Sequence, residues 1–111
     1  MDTKILKNID LSTVLSLKEL VDYQPGQIVS KTLIQNKGVS LTLFAFDKGE
    51  EISTHSSHGD AIVTVTEGTG EITIGENKYT LSEGQTIVMP AEKPHAVYAS
   101  ESFKMFLIVV F

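Results

Sequence analysis

The chain has no cysteine. That absence removes disulfides, thiolate metal ligands and a cysteine nucleophile, and it fits a reducing cytoplasm, the compartment expected for this protein. Long apolar stretches are missing too. The longest run, Met105 to Phe111, is far too short to span a bilayer. Near the start, Asp2, Lys4, Lys7, Asn8 and Asp10 interrupt any apolar region, so no secretory signal peptide is expected. Basic residues are few. Nine are scattered along the chain against 14 acidic ones, and the formal net charge of −5 argues against a nucleic-acid footprint. Lys4 and Lys7 are too thin a block for a membrane patch. Neither nucleic acid nor membrane is an expected partner.

What is present fits one folded domain. The chain has 111 residues, enough for one modest core and not two. Hydrophobic residues at 41% and charged ones at 21% exclude a disordered composition. From about Gln27 the sequence breaks into short runs: 28–34, 39–46, 61–67, 71–74, 78–81, 86–89, 96–99 and 103–111. Turn signals separate them, such as Asn36-Lys37-Gly38, Asp47-Lys48-Gly49, Gly75-Glu76-Asn77 and Ser82-Glu83-Gly84. Within the runs, side-chain character alternates with period two. Ala61, Val63 and Val65 share one face of a strand, and Ile62, Thr64 and Thr66 share the other. Many short, regularly spaced strands predict an all-β sandwich or closed barrel over residues 27–111.

Two segments leave alternatives open. Residues 1–26 form an N-terminal segment expected to pack on the barrel or on a partner subunit. Leu11-Ser12 can open a short helix to about Val21, or the segment can run as a strand; Pro25-Gly26 ends it as a turn either way. The run from Phe106 to Phe111 is apolar on both faces. Such a strand needs cover on both sides, either from the interior or from a second copy of the chain. A homodimer is the expectation taken from the second option.

Candidate chemistry rests on three histidines, His55, His58 and His95. Neutral imidazole is the commonest protein metal ligand. Three such nitrogens from two segments would form one face of a metal ion and leave positions for water or a small polar ligand. Residues sharing a strand face differ by an even number, and His55 and His58 differ by three. Both point inward only if a turn or bulge intervenes at Ser56, Ser57 or Gly59. Other groups carry less. Tyr98 neighbours His95 in the strand but should face away from it, and Ser56 and Ser57 near His55 lack the orienting acid of a triad. Gly68 and Gly70 mark a hairpin, with no helix to make a phosphate site.

Two stretches resemble the paired motifs of the cupin family. Gly49-Glu-Glu-Ile-Ser-Thr-His55-Ser-Ser-His58-Gly-Asp-Ala61, continuing to Gly68, is similar to the first motif, in which a glycine, five residues and His-X-His precede a glutamate and a glycine. Gly84-Gln-Thr-Ile-Val-Met-Pro90-Ala-Glu-Lys-Pro-His95-Ala-Val-Tyr-Ala99 is similar to the second, Gly, five residues, Pro-X-Gly, two residues, His, three residues, Asn. The resemblance covers roughly residues 39 to 110. It implies a jelly-roll barrel with any site inside its wider end.

The same resemblance implies ligand roles for His55 and His95. Ser57 stands where the motif's second histidine would be, and Ala61 where its carboxylate would be. Glu92 replaces the motif's glycine and Ala99 its asparagine. Asp60 faces the other side of the strand, and Glu67 lies about 20 Å along it, so neither replaces the missing carboxylate. The expected site is therefore His55, His58 and His95 around a divalent transition metal (Zn, Fe, Mn or Ni). Two functions stay open: a metal-dependent oxygenase, isomerase or lyase, or a non-catalytic, metal-free domain that binds or senses a small molecule. No catalytic residue outside the histidine set can be named.

Overall fold

The computed structural model describes residues 5–111, and residues 1–4 lie outside the described part. Among the described residues, nine strands form two antiparallel sheets. They are β1 (Ile28–Gln35), β2 (Val39–Phe46), β3 (Glu51–His55), β4 (Asp60–Glu67), β5 (Thr69–Ile74), β6 (Asn77–Ser82), β7 (Thr86–Met89), β8 (His95–Tyr98) and β9 (Phe103–Val110). One sheet has the order β1-β2-β9-β4-β7, the other β3-β8-β5-β6. This is the all-β architecture expected from the strand pattern, in the jelly-roll form that the family resemblance implies.

The period-two alternation does what it should. Ala61, Val63 and Val65 point between the sheets and are buried, as are Ile72, Ile74, Val97, Met89, Phe103, Met105 and Val109. Each fully buried side chain of this size contributes roughly 1.5–3 kcal/mol, so this inter-sheet core is the main stabilising element. One strand escaped the sequence reading. β3 runs Glu-Ile-Ser-Thr-His with Ile52 its only apolar residue, and it is mostly exposed. It lies at the edge of its sheet, where an outer face needs no apolar residues.

A second, smaller core lies on the outer face of the five-stranded sheet. Val21 packs there with Leu33, Leu43 and Ala45, and Leu17, Leu20, Tyr23 and Phe106 close around them. The N-terminal segment supplies this cover without the alternative of a helix to Val21. Among the described residues of this segment, only Leu17–Glu19 are helical, as one turn of 3-10 helix. Ser12 and Asn8 take positive φ, and Leu11 and Val14 are exposed. Ser12, Thr13, Val14 and Ser16 are weak helix formers, and an isolated segment this short cannot offset the cost of nucleation. The outer face of β9, which sequence alone left open to a second subunit, is met at Phe106 by this chain's own residues.

A polar cluster fastens the segment to the sheet. Tyr23 donates its hydroxyl to Glu67 Oε2 at 2.6 Å. Lys104 is 7% exposed, donates to the Lys18 carbonyl at 2.6 Å and lies 3.8 Å from the same glutamate oxygen. Its ammonium also sits 4.9 Å from the centre of the Tyr23 ring, a favourable cation–π placement. A buried lysine is tolerable only with such partners.

The interior differs at its two ends. At one, Phe46 and Phe103 pair across β2 and β9 and stack with ring centroids 4.7 Å apart. Gly70 makes room for them: a Cβ there would lie 2.5 Å from the Phe103 ring. The other end, where β3, β4, β7 and β8 carry His55, Ala61, Met89 and His95, is hollow.

Candidate functional site

His55 is an exposed residue that reaches the cavity through a strand irregularity. On β3 and β8, Ile52 is opposite Val97, so regular pairing would set Thr54 opposite His95. Instead the register shifts by one residue and His55 pairs with His95. Ile52 and His55 differ by three, yet both line the same cavity. A bulge of one residue is the reason: it restores the inward parity that a regular strand would deny His55. His95 opens β8 and is 4% exposed. The two rings meet nearly edge to face, with centroids 4.3 Å apart, and their Nε2 atoms are 3.2 Å apart.

Hydrogen bonding determines what these nitrogens offer. His55 Nδ1 lies 2.9 Å from the Ser53 carbonyl and His95 Nδ1 3.2 Å from the Lys93 carbonyl. A carbonyl oxygen only accepts, so each Nδ1 must carry the proton and donate it. In the neutral rings both Nε2 atoms then present lone pairs to each other. Two facing lone pairs repel unless a proton, a hydrogen-bond donor or a metal ion lies between them. Protonation is opposed: burial, and then the charge of His55 nearby, hold the His95 pKa below the usual histidine value.

The cavity in front of the pair has a volume of about 80 Å³. Its other walls are Ile52, Ala61, Met89, Val97, Met105, Leu107 and Val109, with Ser57 at the rim. Ser57 donates its hydroxyl to the Gly59 carbonyl at 3.0 Å. This leaves the Ser57 oxygen lone pairs free to accept. A water occupies about 30 Å³, so the space suits an ion with one or two small ligands. It does not suit a drug-sized molecule, which needs several hundred Å³.

His58, expected as a third ligand, is not brought to this cavity. The loop after β3 turns Ser57 inward and His58 out. The His58 side chain is 91% exposed, and its Nδ1 lies 2.7 Å from Glu92 Oε1. This pair belongs to a clasp between the two loops at the mouth. The Ser57 carbonyl accepts from the Glu92 amide at 2.7 Å, and Asp60 accepts from the Ala91 amide at 2.8 Å. Glu92 has φ +67°, a left-handed conformation that glycine adopts without cost and glutamate does not. Gly59 lets the loop cross the end of β9, since a Cβ there would lie 2.7 Å from the Val110 carbonyl.

The donors suit a metal only in part. Two nitrogens bound to one ion at roughly 2.1 Å, near the tetrahedral angle, stand about 3.4 Å apart, close to the 3.2 Å seen. The outer Nδ1–H to carbonyl bonds are those that orient metal-binding histidines. Beyond this pair, no group of three or more His, Cys, Asp or Glu among the described residues is placed to hold a metal ion. Sequence reasoning found both inner histidines. It missed the β3 bulge that aims His55, and it gave no role to Met89 or Met105 in the cavity wall.

Comparison with known proteins supports the resemblance. The family model described as a cupin domain matches residues 42–111. A conserved protein of unknown function from Streptococcus pyogenes is 48% identical, with a TM-score of 0.95 over 97% of this chain and 95% of that one. A cupin superfamily protein from Desulfitobacterium hafniense is 31% identical, with a TM-score of 0.91 over 96% of this chain and 97% of that one. A cupin 2 conserved barrel domain protein from Leptotrichia buccalis is 41% identical, with a TM-score of 0.85 over 87% of this chain and 47% of that one. No curated protein matches the chain.

Proposed function

This chain belongs to the cupin family, and on that premise we propose that it binds a transition-metal ion through His55 and His95, with a small polar ligand completing the site. One observation carries the reading. Both Nδ1 atoms are committed to backbone carbonyls, so two Nε2 lone pairs face each other 3.2 Å apart in a largely apolar cavity. Cupin domains often bind metals or small ligands, and an ion there would replace lone-pair repulsion with two bonds. The metal would supply a Lewis acid that polarises a ligand oxygen. The chain's own residues would orient that ligand through Ser57 and exclude bulk water with the apolar wall. Whether the domain turns a substrate over or only binds one depends on what that ligand is, and the fold serves both uses.

Metal analysis of untagged, chelator-free protein tests this. Near-stoichiometric metal should be lost in His55→Ala and in His95→Ala and retained in His58→Ala. Metal content unchanged in the first two variants would overturn the proposal.

A further inference from the structure

We infer that Met89 is a third ligand and that the site selects Cu(I) over the divalent first-row ions. The inference rests on His55 and His95 as metal ligands and adds the identity of the ion. It starts from the cavity wall. Among the described residues, five lining side chains carry a heteroatom: His55, His95, Ser57, Met89 and Met105. No carboxylate is among them, because the position that would supply one is Ala61. The chain has three methionines, and two of them face this one small space, 3% and 1% exposed.

Sheet register separates the two methionines. Met89 is the cross-strand partner of Ala61, and Ala61 also pairs with Val109 on its other side. This layer is at the histidine end of the barrel. Met105 pairs with Val65. It lies four residues from Val109, about 13 Å along the strand, and forms the cavity floor. By register Met89 therefore lies in the layer of Ala61, the position of the missing carboxylate, and its side chain lines the cavity.

Two physical arguments then select the ion. Thioether and imidazole are the soft and intermediate donors that suit Cu(I), whereas ions that favour oxygen need the carboxylates this wall lacks. Charge gives the second. All the donors are neutral, so the site, half-buried with His95 and Met89 inside and His55 exposed, keeps the full charge of its ion. The cost of burying an ion rises with the square of its charge, so a divalent ion costs about four times as much as a monovalent one. A flexible methionine can also serve as apolar filling alone, and the experiment separates that role from ligation.

The purified full-length protein is titrated anaerobically with Cu(I) against a chromogenic bicinchoninate competitor, and separately with Zn(II). One Cu(I) per chain is expected. Met89→Leu, which preserves volume, should weaken Cu(I) binding by about tenfold or more and leave Zn(II) binding unchanged. Met105→Leu should change neither. X-ray absorption at the copper edge should show a sulfur neighbour at roughly 2.3 Å in the unaltered protein. This measurement stands even if the variants fold poorly. Unchanged Cu(I) affinity in Met89→Leu, loss in Met105→Leu instead, absence of sulfur, or Zn(II) displacing Cu(I) would each overturn the inference. His55→Ala and His95→Ala tell the two failures apart. Copper lost in both but kept in Met89→Leu leaves the histidine site standing without its thioether. Copper kept in both removes the site itself.

Discussion

The two ends of the barrel interior share β9 and are filled in opposite ways. At the closed end, Phe46 and Phe103 stack, and Gly70 has given up its side chain to admit them. At the mouth, Ala61 occupies a position where a larger residue would fit, and two methionines and two histidines surround a void. Stability is concentrated at the first end and the capacity to bind at the second. The difference is sharpest in small substitutions. Gly70→Ala would drive a methyl to within 2.5 Å of the Phe103 ring, and overpacking of this kind costs about 1–3 kcal/mol. Ala61→Val adds its methyls to open space and should change stability by no more than about 1 kcal/mol while blocking metal uptake. Thermal or denaturant unfolding of the two variants makes the comparison. Equal losses in both would mean that the mouth is packed as tightly as the closed end.

How much of this was legible in the sequence follows the same division. The closed end and the strands that lead to it were readable because apolar alternation reports burial directly, as in Ala61, Val63 and Val65. The mouth was half readable. Residue type and motif position mark His55 and His95, but parity alone puts a bulge among Ser56, Ser57 and Gly59, and the structure has it between Ile52 and His55. A polar edge strand gives no alternation from which a one-residue shift could be read. His58 was drawn into the site by proximity in sequence, and the loop sends it to Glu92 instead. The N-terminal segment was ambiguous for another reason: its apolar residues follow neither period, and the surface they cover determines their path.

Each end also carries a polar clamp, and burial sets what each is worth. At the closed end, Tyr23 donates to Glu67 beside the buried Lys104. Tyr23→Phe deletes that hydrogen bond and should cost about 1 kcal/mol. Its signature is pH dependence. Burial, then the hydrogen bond and the charge of Glu67, raise the Tyr23 pKa above the usual tyrosine value. The folded state therefore holds this proton when the unfolded state has begun to lose it, near pH 10. More protons bound in the folded state means that stability falls as pH rises above about 10. Tyr23→Phe should flatten that decline. An alkaline decline as steep as in the unaltered protein would show that the clamp does not govern it.

The clamp at the mouth should matter least for stability. His58 and Glu92 pair at 2.7 Å, but their side chains are 91% and 66% exposed, and exposed pairs contribute roughly 0–1 kcal/mol. Against this stands the backbone. Glu92 holds φ +67°, which costs an L-residue about 1–2 kcal/mol, while glycine takes the same conformation freely at the expense of a more flexible unfolded chain. The terms nearly cancel. Glu92→Gly should leave stability unchanged or raise it by up to about 1 kcal/mol, with the Ser57 carbonyl still accepting from the backbone amide at residue 92. A loss of more than about 1 kcal/mol on denaturant unfolding would show that the carboxylate holds the two loops together. The mouth would then be a fastened structure like the closed end, and the contrast between them would fail.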